Sequence, residues 1–294
     1  MLGVPFVEIA VNEQGVMDLV DLERKLHDAT IGTVVATLGT TAAGTVDELS
    51  RIIELCTQHD CRLHVDTAYG GYFKLASNLS DTTAASFACI SKADSIVVDP
   101  HKHGLQPYGC GCVLFRDSAV GRFYKHKSPY TYFSSDQLHL GEISLECSRA
   151  GAAAVGLWTT MQALPLDPGG EFAKSIGTCR DAALALYAGL RERDHSAPLF
   201  PPQLDIVVWA VPARSASESS RRAREVFAAA AKRDLHLAVA SFPRAMCEAT
   251  GAIGQWDRDT LVCLRACVMK PEHREWIPEI LKRLDLTVAE LEKQ

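Results

Sequence analysis

Three short apolar runs each end on a polar group, and this pattern most limits what the chain can fold into. Residues 33–38 (TVVATL) are rich in β-branched side chains and lead into Gly39-Thr40-Thr41. Residues 62–65 lead to Asp66, and residues 95–98 (SIVV) lead to Asp99. Runs of this length, bounded by glycine and polar residues, read as strands. Between the first two lies 47–59 (DELSRIIELCTQH), with helical apolar spacing at Leu49, Ile52, Ile53 and Cys56 and Asp47 placed to cap its start. Residues 111–115 (GCVLF) read as a further strand. Short apolar strands separated by a helix predict an α/β domain whose mainly parallel sheet is covered on both faces.

The second half has a different grammar. Residues 143–164 are Ala-rich and helical until Pro165 and Asp167-Pro168-Gly169-Gly170 break the pattern. A helix over 171–193 follows. Residues 206–211, 235–240 and 261–269 then read as strands, and 217–233 and 273–292 as helices. Few strands mixed with helices predict a smaller α+β domain. The boundary falls near 165–175, giving domains over 1–168 and 169–294.

Composition narrows the function. The chain has 294 residues, room for one large domain or two ordinary ones. Lys plus Arg is 30 against 36 Asp plus Glu, a net charge of −6 with no basic run, which argues against a nucleic-acid partner. No apolar stretch reaches the ~18 residues of a membrane helix. The N-terminal residues lack the basic, apolar and small-residue segments of a signal peptide, so a cytoplasmic location is expected. The ten cysteines sit inside apolar or helical patterns. Cys110 and Cys112 have no second pair at zinc-ribbon distance, so reduced structural thiols are expected rather than disulfides or a metal site.

In an open α/β sheet, ligands gather beyond the carboxyl ends of the strands. Thr40-Thr41, Asp66 and Asp99-Pro100-His101-Lys102 all fall at such ends and are candidates to share one crevice. A lysine amine can form a Schiff base with an aldehyde cofactor, and a carboxylate can keep a pyridine nitrogen protonated so that the ring draws electrons. On spacing alone, solvated or salt-bridged residues account for the same pattern.

The residue identities carry more. Leu63-His64-Val65-Asp66-Thr67-Ala68-Tyr69-Gly70-Gly71 resembles the HVDAAYGG segment of the group II pyridoxal-phosphate-dependent decarboxylases, which include the aromatic amino-acid and glutamate decarboxylases. Asp99-Pro100-His101-Lys102-His103-Gly104 resembles that family's cofactor-lysine motif. Leu38-Gly39-Thr40-Thr41 upstream, and Gly141-Glu142-Ile143-Ser144 through Ser148-Arg149 downstream, are similar in the same order.

The resemblance implies a fold type I, PLP-dependent transferase-like large domain, partial in this chain, with a smaller C-terminal α+β domain. It implies pyridoxal 5'-phosphate as cofactor, a homodimer, and decarboxylation of an L-amino acid to an amine and carbon dioxide. By the same resemblance Lys102 holds the cofactor as a Schiff base and later moves protons, and Asp66 pairs with the pyridine nitrogen. Ala68 packs on a ring face, Thr41 lies near the ring substituents, and His101 lies near the phosphate or the substrate carboxylate. Tyr130 or Tyr132 serves as a loop acid that protonates the substrate carbon, with two aromatics packing a subunit contact as the alternative. Arg265 binds a substrate carboxylate or forms a core salt bridge, and Arg149 is open to the same two readings.

Two positions depart from the family pattern. Asp99 stands where Asn is common, and a carboxylate repels a phosphate, which sets its place in the cofactor site apart. His103 stands where Trp or Met is common and reads as a packing or surface histidine. His101 and His103 form an H-x-H pair, but no third ligand has a recognisable spacing, so no metal is expected. Relatives extend further at the N-terminus, where they supply a ring-stacking aromatic residue, usually His, a phosphate-binding loop and part of the dimer contact. The sequence shows neither grip and so reads as N-terminally truncated. A non-catalytic remnant, or another lyase with the same cofactor and fold, are the alternatives to an active decarboxylase.

Overall fold

The computed structural model describes residues 3–125 and 151–293. Helix α1 (Leu19–Asp28) begins where the Asp18 side chain accepts from the N–H groups of Val20 and Asp21, and it buries Leu22 and Leu26. Strands β1 (Thr33–Thr37), β2 (Arg62–Asp66), β3 (Ser95–Val98) and β4 (Cys112–Phe115) form one sheet in that order. β1, β2 and β3 are parallel and β4 returns antiparallel, so the predominantly parallel sheet expected from the sequence is present. Helix α2 (Leu49–Gln58) connects β1 to β2 and buries Leu49, Ile52, Leu55 and Cys56 along one stripe. Helix α3 (Asp81–Ala88) precedes β3, capped by the Ser80 hydroxyl.

The parallel sheet differs from expectation in its covering. Val34, Ala36, Leu63 and Val65 are buried on one face. On the other face Val35 is 54% exposed, and Val113 on the same face at the β4 edge is equally open. Among the described residues the sheet is therefore covered on one side. Asp47 also departs from its expected role. Its carboxylate accepts from the N–H groups of Met17 (2.8 Å) and Thr37 (2.7 Å), and so braces β1 instead of capping α2. Burial pushes its carboxyl above the ordinary value while those two donors hold it down.

Helix α4 (Ala152–Ala163) occupies the described part of the expected 143–164 helix and buries none of its residues. Helix α5 (Glu171–Arg191) begins after the Gly169-Gly170 break. The second half adds strands β5 (Ala197–Pro198), β6 (Ile206–Ala210), β7 (Ala213–Ser215), β8 (Ala238–Pro243), β9 (Ile253–Gln255) and β10 (Thr260–Cys267), with helices α6 (Ala216–Ala231) and α7 (His273–Leu291). β5, β6, β10 and β8 form an antiparallel sheet in that order. β8 starts three residues later than the apolar run of 235–240. Leu235 and Leu237 pack into the helical side of the core instead, and Pro243 ends β8 at the sheet edge, where a missing N–H costs least.

β6 is buried at every position, which explains its uninterrupted apolar sequence. Val207 and Trp209 face α5, α6 and α7 together with Val262 and Leu264. Ile206, Val208 and Ala210 face the other way, into a core shared with Leu38, Val46, Leu63 and Val65 of the first half. The second sheet is thus the middle layer between its own helices and the parallel half.

Candidate active site

The loops after β1, β2 and β3 meet on one side of the parallel sheet. The first two are forced together by glycine. Gly39 has φ +100°, and a Cβ there would lie 2.8 Å from Gly70 N; a Cβ on Gly70 would lie 2.1 Å from the Leu38 carbonyl oxygen. Only two residues without side chains permit that approach. The β1 loop is closed by Gly39 N–H and Thr40 N–H donating to Thr45 O, and by a 2.7 Å hydrogen bond between the Thr40 and Thr45 hydroxyls. Thr41 is exposed at its tip.

Asp66 is the last residue of β2 and is half-buried. Its Oδ1 accepts from Ala68 N–H at 3.0 Å, which orients the carboxylate beyond the strand end. No ion pair engages it among the described residues. Asp99 follows β3, and its N–H donates to Ala68 O at 3.3 Å, tying the second and third loops. Lys102 Nζ lies 3.0 Å from Asp99 Oδ2, with Lys102 29% and Asp99 20% exposed. His101 Nε2 is 3.7 Å from the same oxygen. His101 Nδ1 lies 2.7 Å from Cys110 O, and its ring packs on Tyr108 at 5.2 Å between centroids. Asp99 is therefore the anion between the lysine and the histidine, which answers why a carboxylate is tolerated there.

Arg265 reaches this site from β10. Its Nε donates to Ala42 O at 2.9 Å and its Nη2 to Thr41 O, so it fastens the tip of the β1 loop to the second sheet. Neither alternative from the sequence, a core salt bridge or a carboxylate alone, included these carbonyl partners. Tyr130, Tyr132 and Arg149 lie outside the described residues.

The structure thus brings Thr41, Asp66, Ala68, Asp99, His101, Lys102 and Arg265 to one side of the molecule. His103 does not join them. It is buried, 2.8 Å from Asp205 Oδ2, and so turns away from His101. The sequence reading missed Asp205 and the hydroxyl of Tyr69, which donates to Asp205 Oδ1 at 2.7 Å. Burial, then the Asp205 charge, push the Tyr69 phenol well above its ordinary value. The available signal was a charged residue opening the wholly apolar run of β6.

A lysine and a carboxylate without an ion pair among the described residues, at adjacent strand ends and each held by a different loop, are the arrangement an aldehyde-bearing pyridinium cofactor requires. Residues 1–208 match the family described as the pyridoxal-dependent decarboxylase conserved domain. The chain belongs to this family. It is 30% identical over 250 residues to an L-tyrosine decarboxylase of Enterococcus faecium, covering 69% of this chain and 41% of that protein. It is 35% identical over 176 residues to an L-2,4-diaminobutyrate decarboxylase of Acinetobacter baumannii, covering 56% of this chain and 34% of that one. The fold matches Oryza sativa TDC with PLP and tryptamine at a TM-score of 0.77 and 17% identity, over 96% of this chain and 57% of that chain. It matches the Lactobacillus brevis glutamate decarboxylase at 0.76 and 16% identity, over 97% and 60%. The chain therefore spans less than half of these curated relatives and somewhat more than half of these structures. No helix among the described residues is long and apolar enough to cross a membrane.

Proposed function

We propose that this chain carries the cofactor lysine and its partners of a pyridoxal-phosphate-dependent decarboxylase that converts an L-amino acid to an amine and carbon dioxide. The observation that carries this reading is the pairing of groups at neighbouring strand ends: Lys102 held by Asp99 at 3.0 Å, and Asp66 oriented by Ala68 N–H and without an ion pair among the described residues.

Pyridoxal phosphate, when bound, supplies an electron-drawing ring into which the electrons of the broken bond between Cα and the carboxylate can pass. Lys102 would hold it through Nζ and would later move protons, with Asp99 directing that amine. Asp66 would favour a proton on the ring nitrogen by its negative charge. Ala68 offers a small side chain to the ring, and Thr41 lies at the mouth of the site. His101, steadied by Cys110 O, presents Nε2 toward Asp99 and serves the phosphate or substrate carboxylate. Arg265 holds the Thr41–Ala42 carbonyls and adds a guanidinium for a substrate carboxylate. Tyr130 or Tyr132 supplies the acid for the substrate carbon.

The same reading extends to the whole protein: a cofactor-binding domain over 1–168, a smaller domain over 169–294, and a homodimer in the cytoplasm. The exposed Val155 and Trp158 of α4 support a subunit contact. The test is direct. The purified chain is mixed with pyridoxal phosphate, reduced with borohydride and digested. Label at Lys102, and its loss in Lys102→Ala, is expected. Label spread over surface lysines, or retained in Lys102→Ala, overturns the assignment.

A further inference from the structure

Lys102 and His103 are adjacent in sequence and opposite in environment. The lysine side chain is 29% exposed, whereas those of His103 and Asp205 are fully buried. His103 Nδ1 lies 3.1 Å from Tyr69 O and Nε2 lies 2.8 Å from Asp205 Oδ2. Both ring nitrogens thus face acceptors, and a backbone carbonyl cannot donate, so Nδ1 carries a proton. Asp205 Oδ1 receives the Tyr69 hydroxyl. The rings of Tyr69 and Phe73 meet the imidazole edge-on, 4.8 and 5.1 Å away between centroids, and fix its plane.

These contacts join three pieces of chain. His103 belongs to the loop after β3, Tyr69 to the loop after β2, and Asp205 to the entry of β6. Asp205 O also accepts from Val268 N–H at 3.0 Å, just beyond β10. The next residue leaves the loop no slack, because a Cβ on Gly104 would lie 2.7 Å from Pro100 Cα. A buried imidazole–carboxylate pair adds little stability over apolar residues of the same volume. What it adds is direction, since its hydrogen bonds allow one ring orientation.

We propose that His103, held by Asp205 and Tyr69, is a positioning residue that anchors the Lys102 loop to the second sheet and so keeps Nζ at Asp99. This rests on the reading of Lys102 as the cofactor lysine. The anchor is absent from the sequence motif itself, because its other half lies 102 residues away.

The test uses the whole chain and three variants. His103→Met/Asp205→Asn removes the charge together with its partner, which avoids stranding a buried carboxylate. His103→Gln keeps a donor that reaches Asp205. Asp205→Asn alone keeps an acceptor for Tyr69. Amide hydrogen exchange over 99–106, thermal melting, and the rate of borohydride-trapped labelling of Lys102 by pyridoxal phosphate are compared. The double variant is expected to melt near wild type, while 99–106 exchanges about tenfold faster and Lys102 labels about tenfold more slowly, the scale of one lost hydrogen bond to a charged group. Asp205→Asn should fall between the two, and His103→Gln should recover most of the protection.

Wild-type exchange and labelling in the double variant would overturn the proposal. So would exchange that rises equally across the chain, which would make His103 ordinary core. If wild type itself fails to label at Lys102, the cofactor assignment falls, while the exchange comparison still decides whether His103 anchors the loop.

Discussion

Asp66 and Arg265 illustrate how two charged side chains in one site are separated by what each already holds. Asp66 spends one oxygen on Ala68 N–H, and no ion pair engages its charge among the described residues. Asp66→Asn preserves that contact and removes the charge. Cofactor capture at Lys102 should persist, while turnover in the assembled enzyme should fall by about 10–1000-fold, the effect of one to three pKa units from a nearby opposite charge. Wild-type turnover would remove the carboxylate from the mechanism. Arg265 is committed to two carbonyls of the β1 loop. Arg265→Ala should therefore lower stability by about 1–3 kcal/mol, the scale of hydrogen bonds from a charged donor, and raise the substrate KM. A raised KM at unchanged stability would show that the loop contact is idle. The motifs around Asp66 and Lys102 are legible in sequence because adjacent residues carry them. The carbonyl partners of Arg265 lie more than 220 positions upstream, and no local pattern reports them.

At the scale of elements, the contact between the first two site loops depends on an absence of side chains. Gly70→Ala would place a methyl group against the Leu38 carbonyl, at 2.1 Å before any movement. Overpacking of this kind costs about 1–3 kcal/mol or more, so the urea midpoint should fall and Lys102 labelling should weaken with it. A variant as stable as wild type would mean that the loops separate freely. Helix α1 offers a pH test. The N–H of Ala10, then Lys25 and Arg24, hold the Asp21 carboxyl below its ordinary value of 3.8. A lowered folded value means that the unfolded chain binds the proton first, so this contribution is present above that ordinary value and is lost as pH falls below it. The stability gap between wild type and Asp21→Asn should be steady near neutrality and should close from about pH 4 downward. A gap that is constant with pH would contradict the assignment. Element types were largely readable from periodicity, and the boundaries moved where tertiary contacts competed. Asp47 has the chemistry of a cap, yet the N–H groups of Met17 and Thr37 claim its carboxylate.

For the whole molecule, the shared core decides how the halves behave. Leu204 is fully buried, just ahead of β6, and lies against the Gly39–Gly70 contact. Leu204→Ala should cost about 2–5 kcal/mol. Because the same core includes Leu38 and Val65 from one half and Ile206 and Leu261 from the other, both halves should unfold in one transition. Trp209 fluorescence and far-ultraviolet circular dichroism should coincide in urea. Two separated transitions would show that the halves are independent. By itself the sequence determined the strand-and-helix alternation, the mainly parallel first sheet and the family motifs around Asp66 and Lys102, since apolar period and short motifs are local properties. Tertiary structure alone decided that one face of that sheet is uncovered among the described residues, that Arg265 clamps the β1 loop, and that His103 turns inward to Asp205. Those outcomes depend on which distant groups meet at hydrogen-bonding distance, and a buried polar atom takes whichever partner the packing supplies.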